Sequence, residues 1–154
     1  MEKYRVRRAT AIDIPLLIEF RRRMFASLID DEKSIDAMSA FSAKHFQGMM
    51  DNEDLVAWVA EAASGQVVAC GALSFYYLTP KPFNIEGKYG YISSMYTAEE
   101  HRRQGLARRI LQEILNYAKA TGLRDLKLHA SDLGAPLYAS SGFVALNEMG
   151  LRLD

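Results

Sequence analysis

The chain has 154 residues, enough for one domain with a sizeable core and little room for a second. Apolar residues make up 49% and charged residues 25%, which excludes a disordered chain, and 19 basic residues against 19 acidic ones argue against a dedicated nucleic-acid binder. No apolar run approaches the ~18 residues of a membrane span, and the single cysteine excludes an internal disulfide or a Cys-rich metal site. The start Met1-Glu2-Lys3-Tyr4-Arg5 lacks the apolar stretch of a secretory signal. The expectation is one cytoplasmic domain over residues 1–154, with no metal, membrane or nucleic-acid partner.

Residues 4–9 read as a short first strand. Thr10, with Asp13 three residues later, fits a variant of the capping box at a helix start. Leu16, Leu17, Phe20, Met24 and Leu28 then recur at the spacing of one helix face. Arg21, Arg22 and Arg23 splay over most of a turn, so they read as a solvated face. Asp30-Asp31-Glu32 reads as a loop, and Ile35, Met38, Phe46 and Met49 predict a second helix over residues 34–50. After the polar break at 51–54, residues 55–61 and 66–77 read as strands joined by a turn at Ser64-Gly65. Cys70, between Ala69 and Ala72 in the second of these, reads as core. Pro80 and Pro82 stop that strand and predict an exposed loop over 79–88.

Residues 89–97 read as the next strand. A long helix is expected over 103–121, with Leu106, Ile110, Leu111, Ile114, Leu115 and Ala118 on one face and Gly122 past its end. A short strand over 126–130 and a small helix over 135–141 follow. Residues 143–146 and the alternating Met149, Leu151 and Leu153 predict two last strands. The order is β-α-α-β-β-β-α-β-α-β-β, with hairpins preceding one βαβ unit, so the sheet is expected to be mixed.

Between the strand at 89–97 and the long helix lies Arg102-Arg103-Gln104-Gly105-Leu106-Ala107. Free N–H groups at a helix N-terminus, together with the positive end of its dipole, make a site for phosphate. Gly105 removes the Cβ that would hold a ligand off the backbone, Ala107 keeps the next turn slim, and Arg102 and Arg103 add charge for a polyanion. No Lys-Ser/Thr pair follows the glycine, so this is not the P-loop. The three glycines of the dinucleotide fingerprint are also absent. The physical reading is a pyrophosphate cradle.

The spacing Arg-x-x-Gly-x-Ala, after a strand and at the head of a helix, resembles the coenzyme A motif of the GCN5-related N-acetyltransferases (GNAT family). Tyr91-Ile92-Ser93-Ser94-Met95-Tyr96-Thr97 before it, and Pro136-Leu137-Tyr138-Ala139-Ser140-Ser141-Gly142-Phe143 after it, are similar to two further family segments in the same order. The resemblance covers essentially the whole chain. It implies an α/β (α+β) fold with about four helices around a mixed, mostly antiparallel sheet that splays between its fourth and fifth strands, usually at a bulge. It implies acetyl-CoA as co-substrate, and an amine of a small molecule or peptide as acceptor, acetylated by direct attack in a ternary complex. Backbone groups of Met95, Tyr96 and Thr97 would pair with the pantetheine arm, and Arg102, Arg103, Gln104, Gly105, Leu106, Ala107 and Arg108 would hold the pyrophosphate. Tyr138 would be the general acid that protonates the leaving thiolate. Ser131 stands where many members carry an Asn on the pantetheine. Glu86 and His129 are both open as the general base, as is the absence of any. A non-catalytic acyl-CoA sensor on the same fold is the alternative function, and dimers, common in the family, would use the terminal strands.

Overall fold

The structure is a computed structural model that describes residues 2–153. Five strands run β1 (Tyr4–Arg8), β2 (Leu55–Ala62), β3 (Val67–Tyr77), β4 (Lys88–Thr97) and β5 (Asp125–Leu128). They lie in the sheet in that order. The first three pairings are antiparallel and β4 pairs with β5 in parallel. The helices are α1 (Ile14–Ala26), α2 (Glu32–Asp51), α3 (Leu106–Ala120) and α4 (Ala135–Ser140). The mixed sheet with four helices agrees with the expected fold class.

The central strands are buried on both faces, and alternation divides the core in two. From β2, Val56, Trp58 and Ala60 join Leu106, Ile110, Leu111 and Ile114 of α3 on one face. Leu55, Ala57 and Val59 join Leu17 and Phe20 of α1, with Cys70, on the other. At the start of α1, Thr10 donates its backbone N–H to the Asp13 carboxylate at 2.8 Å. Arg7 grips the same carboxylate with both terminal nitrogens, at 2.8 and 2.9 Å, which ties β1 to the helix it feeds. Arg7 also donates to Glu61 of β2 at 3.0 Å. These bonds hold the buried Asp13 carboxyl below the usual carboxylate range.

Several expectations are corrected. α3 begins at Leu106, not at 103, because Arg103 and Gly105 both take the left-handed conformation, with φ of 62° and 77°. α1 ends at Ala26, which leaves Leu28 exposed, and Asp31 caps α2 by accepting from the Ser34 N–H at 3.1 Å. The loop before β4 is not wholly exposed: Asn84 is buried and donates to Lys88 O and to Asp125 Oδ2. The two last strands do not form among the described residues. Met149, Leu151 and Leu153 alternate as a strand should, but no neighbour pairs with them, and they stand 92%, 85% and 82% exposed. A period of two gives a segment a face; it does not supply a ladder partner.

Candidate active site

The site begins with a defect in the sheet. Cys70 pairs with Tyr96 and Ala72 with Ser93, so Gly71 alone on β3 faces Ser94 and Met95 on β4. Two residues against one is a β-bulge, and Ser94 takes φ 58° within it. Gly71 is what the bulge requires: a Cβ there would come within 2.5 Å of Met95 Sδ and 2.6 Å of Ile110 Cγ2. β4 pairs with β5 only over Tyr89–Ile92. Beyond Ile92 the two diverge, so residues 93–97 offer an edge toward the opening. The expected splay between the fourth and fifth strands is present, and it also ends β5 at Leu128 rather than at 130.

The cradle loop sits where β4 gives way to α3. From Arg103 to Arg108, no backbone N–H donates to an acceptor among the described residues; Arg109 is the first to bond, to Gly105 O at 3.1 Å. Left-handed residues at 103 and 105, with a residue of ordinary φ between them, give this run the alternation of a backbone nest. A Cβ at Gly105 would meet no atom within 4 Å, so that flank is open to a ligand. The side chains are less uniform. Arg102 folds back, donating Nε to Thr97 O at 3.0 Å with its guanidinium 5.7 Å from the Tyr96 ring. Gln104 accepts from Lys3 at 3.2 Å, and Arg108 donates to Ser140 at 3.3 Å. Arg103 is exposed and makes no ion pair among the described residues. Leu106 is buried in the α3 core, so it has only its N–H to offer.

Tyr138 lies on α4 in the same core as α3, with Phe143 edge-on to its ring at 5.8 Å. Its hydroxyl has no hydrogen-bond partner among the described residues and is not enclosed. Burial of the phenol raises its pKa above the ordinary value, so it keeps its proton at neutral pH. Ser131 is exposed and closes the turn that leads into α4, its Oγ accepting from the Gly134 N–H at 3.2 Å. That local use accounts for a serine there. Cys70 is buried, its thiol pushed up to about 12 by desolvation, and it donates to Ser94 O at 3.1 Å. It is a core residue at the bulge and not a thiolate at neutral pH.

The two candidate bases are not brought to the bulge. Glu86 is exposed in the loop before β4, and His129 is exposed just past the end of β5. Neither lines the cavity of about 170 Å³ that opens beside Ser93 and Ser94. The acidic stretch Asp30-Asp31-Glu32 borders a different hollow, between α1 and α2. What does reach the bulge is Arg21, whose Nη1 donates to Ser94 Oγ at 2.6 Å. The arginine triplet is therefore not one solvated face. Arg22 pairs with Asp36 and Arg23 with Glu19, while Arg21 is half-buried. The signal was its spacing: Ile14, Leu17 and Arg21 form one stripe, and the first two are core.

Comparison with known proteins bears on the family and the fold. The family model described as acetyltransferase (GNAT) family matches residues 20–143. An uncharacterized N-acetyltransferase of Bacillus subtilis, YsnE, is 27% identical over an alignment of 129 positions that covers 79% of each chain. A crystal structure of a predicted acetyltransferase with acetyl-CoA, from Clostridium acetobutylicum, is 32% identical and superposes with a TM-score of 0.87, covering 98% of this chain and 96% of that one. A GCN5-related N-acetyltransferase from Ralstonia eutropha, 24% identical over 97% of this chain and 98% of that one, has the same fold with a TM-score of 0.89.

Proposed function

The chain belongs to the acetyltransferase (GNAT) family, and from that premise we propose that it transfers the acetyl group of acetyl-CoA to a primary amine by direct attack in a ternary complex. The observation that carries the reading is the run of unspent N–H groups from Arg103 to Arg108 at the head of α3, beside the open edge of β4. Such a run takes a pyrophosphate, with Arg103 and the free nitrogens of Arg102 adding charge. The backbone of Met95, Tyr96 and Thr97 would accept the pantetheine arm as an added strand, beside the bulge.

Acetyl-CoA supplies an activated acyl carbon and a thiol leaving group. The amine lone pair attacks that carbon, the C–N bond forms, the C–S bond breaks, and Tyr138 gives its proton to the departing sulfur. The amine proton leaves to water, because Glu86 and His129 lie off the cavity, and water returns a proton to the Tyr138 phenolate. Ser131, whose hydroxyl proton is free to donate, would stand beside the pantetheine. Gly105→Glu is the test of the cofactor assignment. It puts bulk and negative charge where the phosphates would lie, and calorimetry is expected to find coenzyme A binding lost. Unchanged affinity in that variant would reject the site.

The position of Glu86 and His129 away from the cavity favours one second reading, an acyl-CoA sensor that binds without transferring. Such a protein would hold acetyl-CoA and release no thiol with any acceptor.

A further inference from the structure

We infer that the cavity beside the bulge is where the acceptor sits, and that Arg21 takes the carboxylate of that acceptor, so that the substrate class is an amine that also carries a carboxylate: an amino acid or a close relative of one. The inference rests on the acetyl-transfer reading for the reaction. It rests on the cavity itself for the ligand.

The cavity, about 170 Å³, lies between α1, α2 and the sheet. Leu17, Phe46 and Met49 give it apolar walls, and Ser42, Ser74 and Ser93 give it hydroxyls. Among the described residues, Arg21 is its one charged lining residue and no carboxylate borders it. A polyamine or aminoglycoside would bring several positive charges to a space whose fixed charge is already positive, which disfavours that class. The size also favours a small ligand over a long peptide.

Arg21 has the marks of a group held for a ligand. The other arginines of the triplet, Arg22 and Arg23, each have a carboxylate partner, but Arg21 forms no ion pair among the described residues. Its recorded hydrogen bond is to the neutral hydroxyl of Ser94. That leaves most of a five-donor fork unspent on a half-buried cation, an arrangement that costs desolvation with no counter-charge to offset it. The side chain is fixed all the same, with its guanidinium 5.3 Å from the Phe25 ring and Nη1 on Ser94. Ser94 is the bulged residue, next to Met95, where the cofactor strand-pairing would begin. A carboxylate on Arg21 would therefore place an α-amine, two bonds from the carboxylate carbon, beside the reacting carbon. A planar guanidinium facing a carboxylate gives the two-bond geometry that a lone ammonium does not.

The experiment is calorimetric titration of N-acetyl derivatives of the common amino acids, and of the matching N-acetyl amino acid amides, onto the protein saturated with coenzyme A. At least one N-acetyl amino acid is expected to bind, and its amide to bind about tenfold or more weakly. Arg21→Gln is expected to remove that difference, and Arg21→Lys to restore it in part. Circular dichroism spectra of both variants, expected to match the parent, report that the fold is intact, and their coenzyme A affinity is expected to be unchanged. No binding by any N-acetyl amino acid, equal binding of acid and amide, or a difference that survives in Arg21→Gln would overturn the inference. So would a loss of coenzyme A affinity in Arg21→Gln, which would assign the guanidinium to the cofactor. Carboxylate-dependent binding without acetyl transfer to any amine would overturn the catalytic reading and leave Arg21 as an anion-binding residue.

Discussion

Tyr138 owes its assigned role to two properties of one side chain. Its ring is buried, which raises the phenol pKa, and its hydroxyl is unpartnered among the described residues. A phenol in that state holds a proton through neutral and mildly alkaline pH and can give it to a thiolate. Tyr138→Phe keeps the ring packing and removes the proton. Turnover is expected to fall about 100-fold with coenzyme A affinity nearly unchanged; equal turnover would remove the acid role. Tyr138 was legible in the sequence through the segment around it, and Cys70 as core through its small apolar neighbours. Arg21 was not. Three consecutive arginines suggest solvent, and only the packing of α1 on the sheet distinguishes the one that lies in the buried stripe. Ser131 was legible as a position, while its hydrogen bond to the Gly134 N–H depends on a turn that composition does not specify.

At the scale of elements, periodicity located every helix and the first five strands, and it erred at their ends. The start of α3 shows why. The apolar stripe of that helix begins at Leu106, but the basic residues before it fit a helix equally well in composition. What stops the helix is left-handed backbone at Arg103 and Gly105, and of these only the glycine announces itself. The bulge on β4 was legible only through the resemblance, because it depends on pairing with Gly71 across the sheet. The β1–α1 junction yields a prediction about stability. Asp13 has a folded-state pKa below its unfolded value, through Arg7 and the Thr10 N–H. Its contribution is therefore fully present above the unfolded value of ~3.9 and is lost as pH falls through the lower folded value. Asp13→Asn is expected to cost about 2 kcal/mol at neutral pH in urea unfolding, with the gap to the parent protein closing as pH falls through the lowered folded-state value. A gap of the same size at low pH would show that the ion pair is not its source.

For the whole molecule, residues 144–153 are the part that the sequence misstates. Their alternation predicts strand, yet their apolar side chains stand exposed, joined to β5 by the Lys127–Glu148 pair at 3.0 Å. The outer edge of β5 has no partner among the described residues. We propose that a second copy supplies the match, the tail of one chain pairing with the exposed edge of the other. Light scattering is then expected to give twice 17.3 kDa, and the mass of a single shortened chain after removal of residues 144–153. A monomer at micromolar concentration would reject the pairing. The central claim, acetyl transfer to an amine at the bulge of β4, is met most directly by one assay. Release of free thiol from acetyl-CoA is followed with a panel of amino acids, polyamines, aminoglycosides and peptides, for the parent protein and for Tyr138→Phe. Release that depends on one class of amine, and that falls about 100-fold in the variant, is the predicted result. Coenzyme A binding without thiol release across the panel would contradict it and favour the sensor.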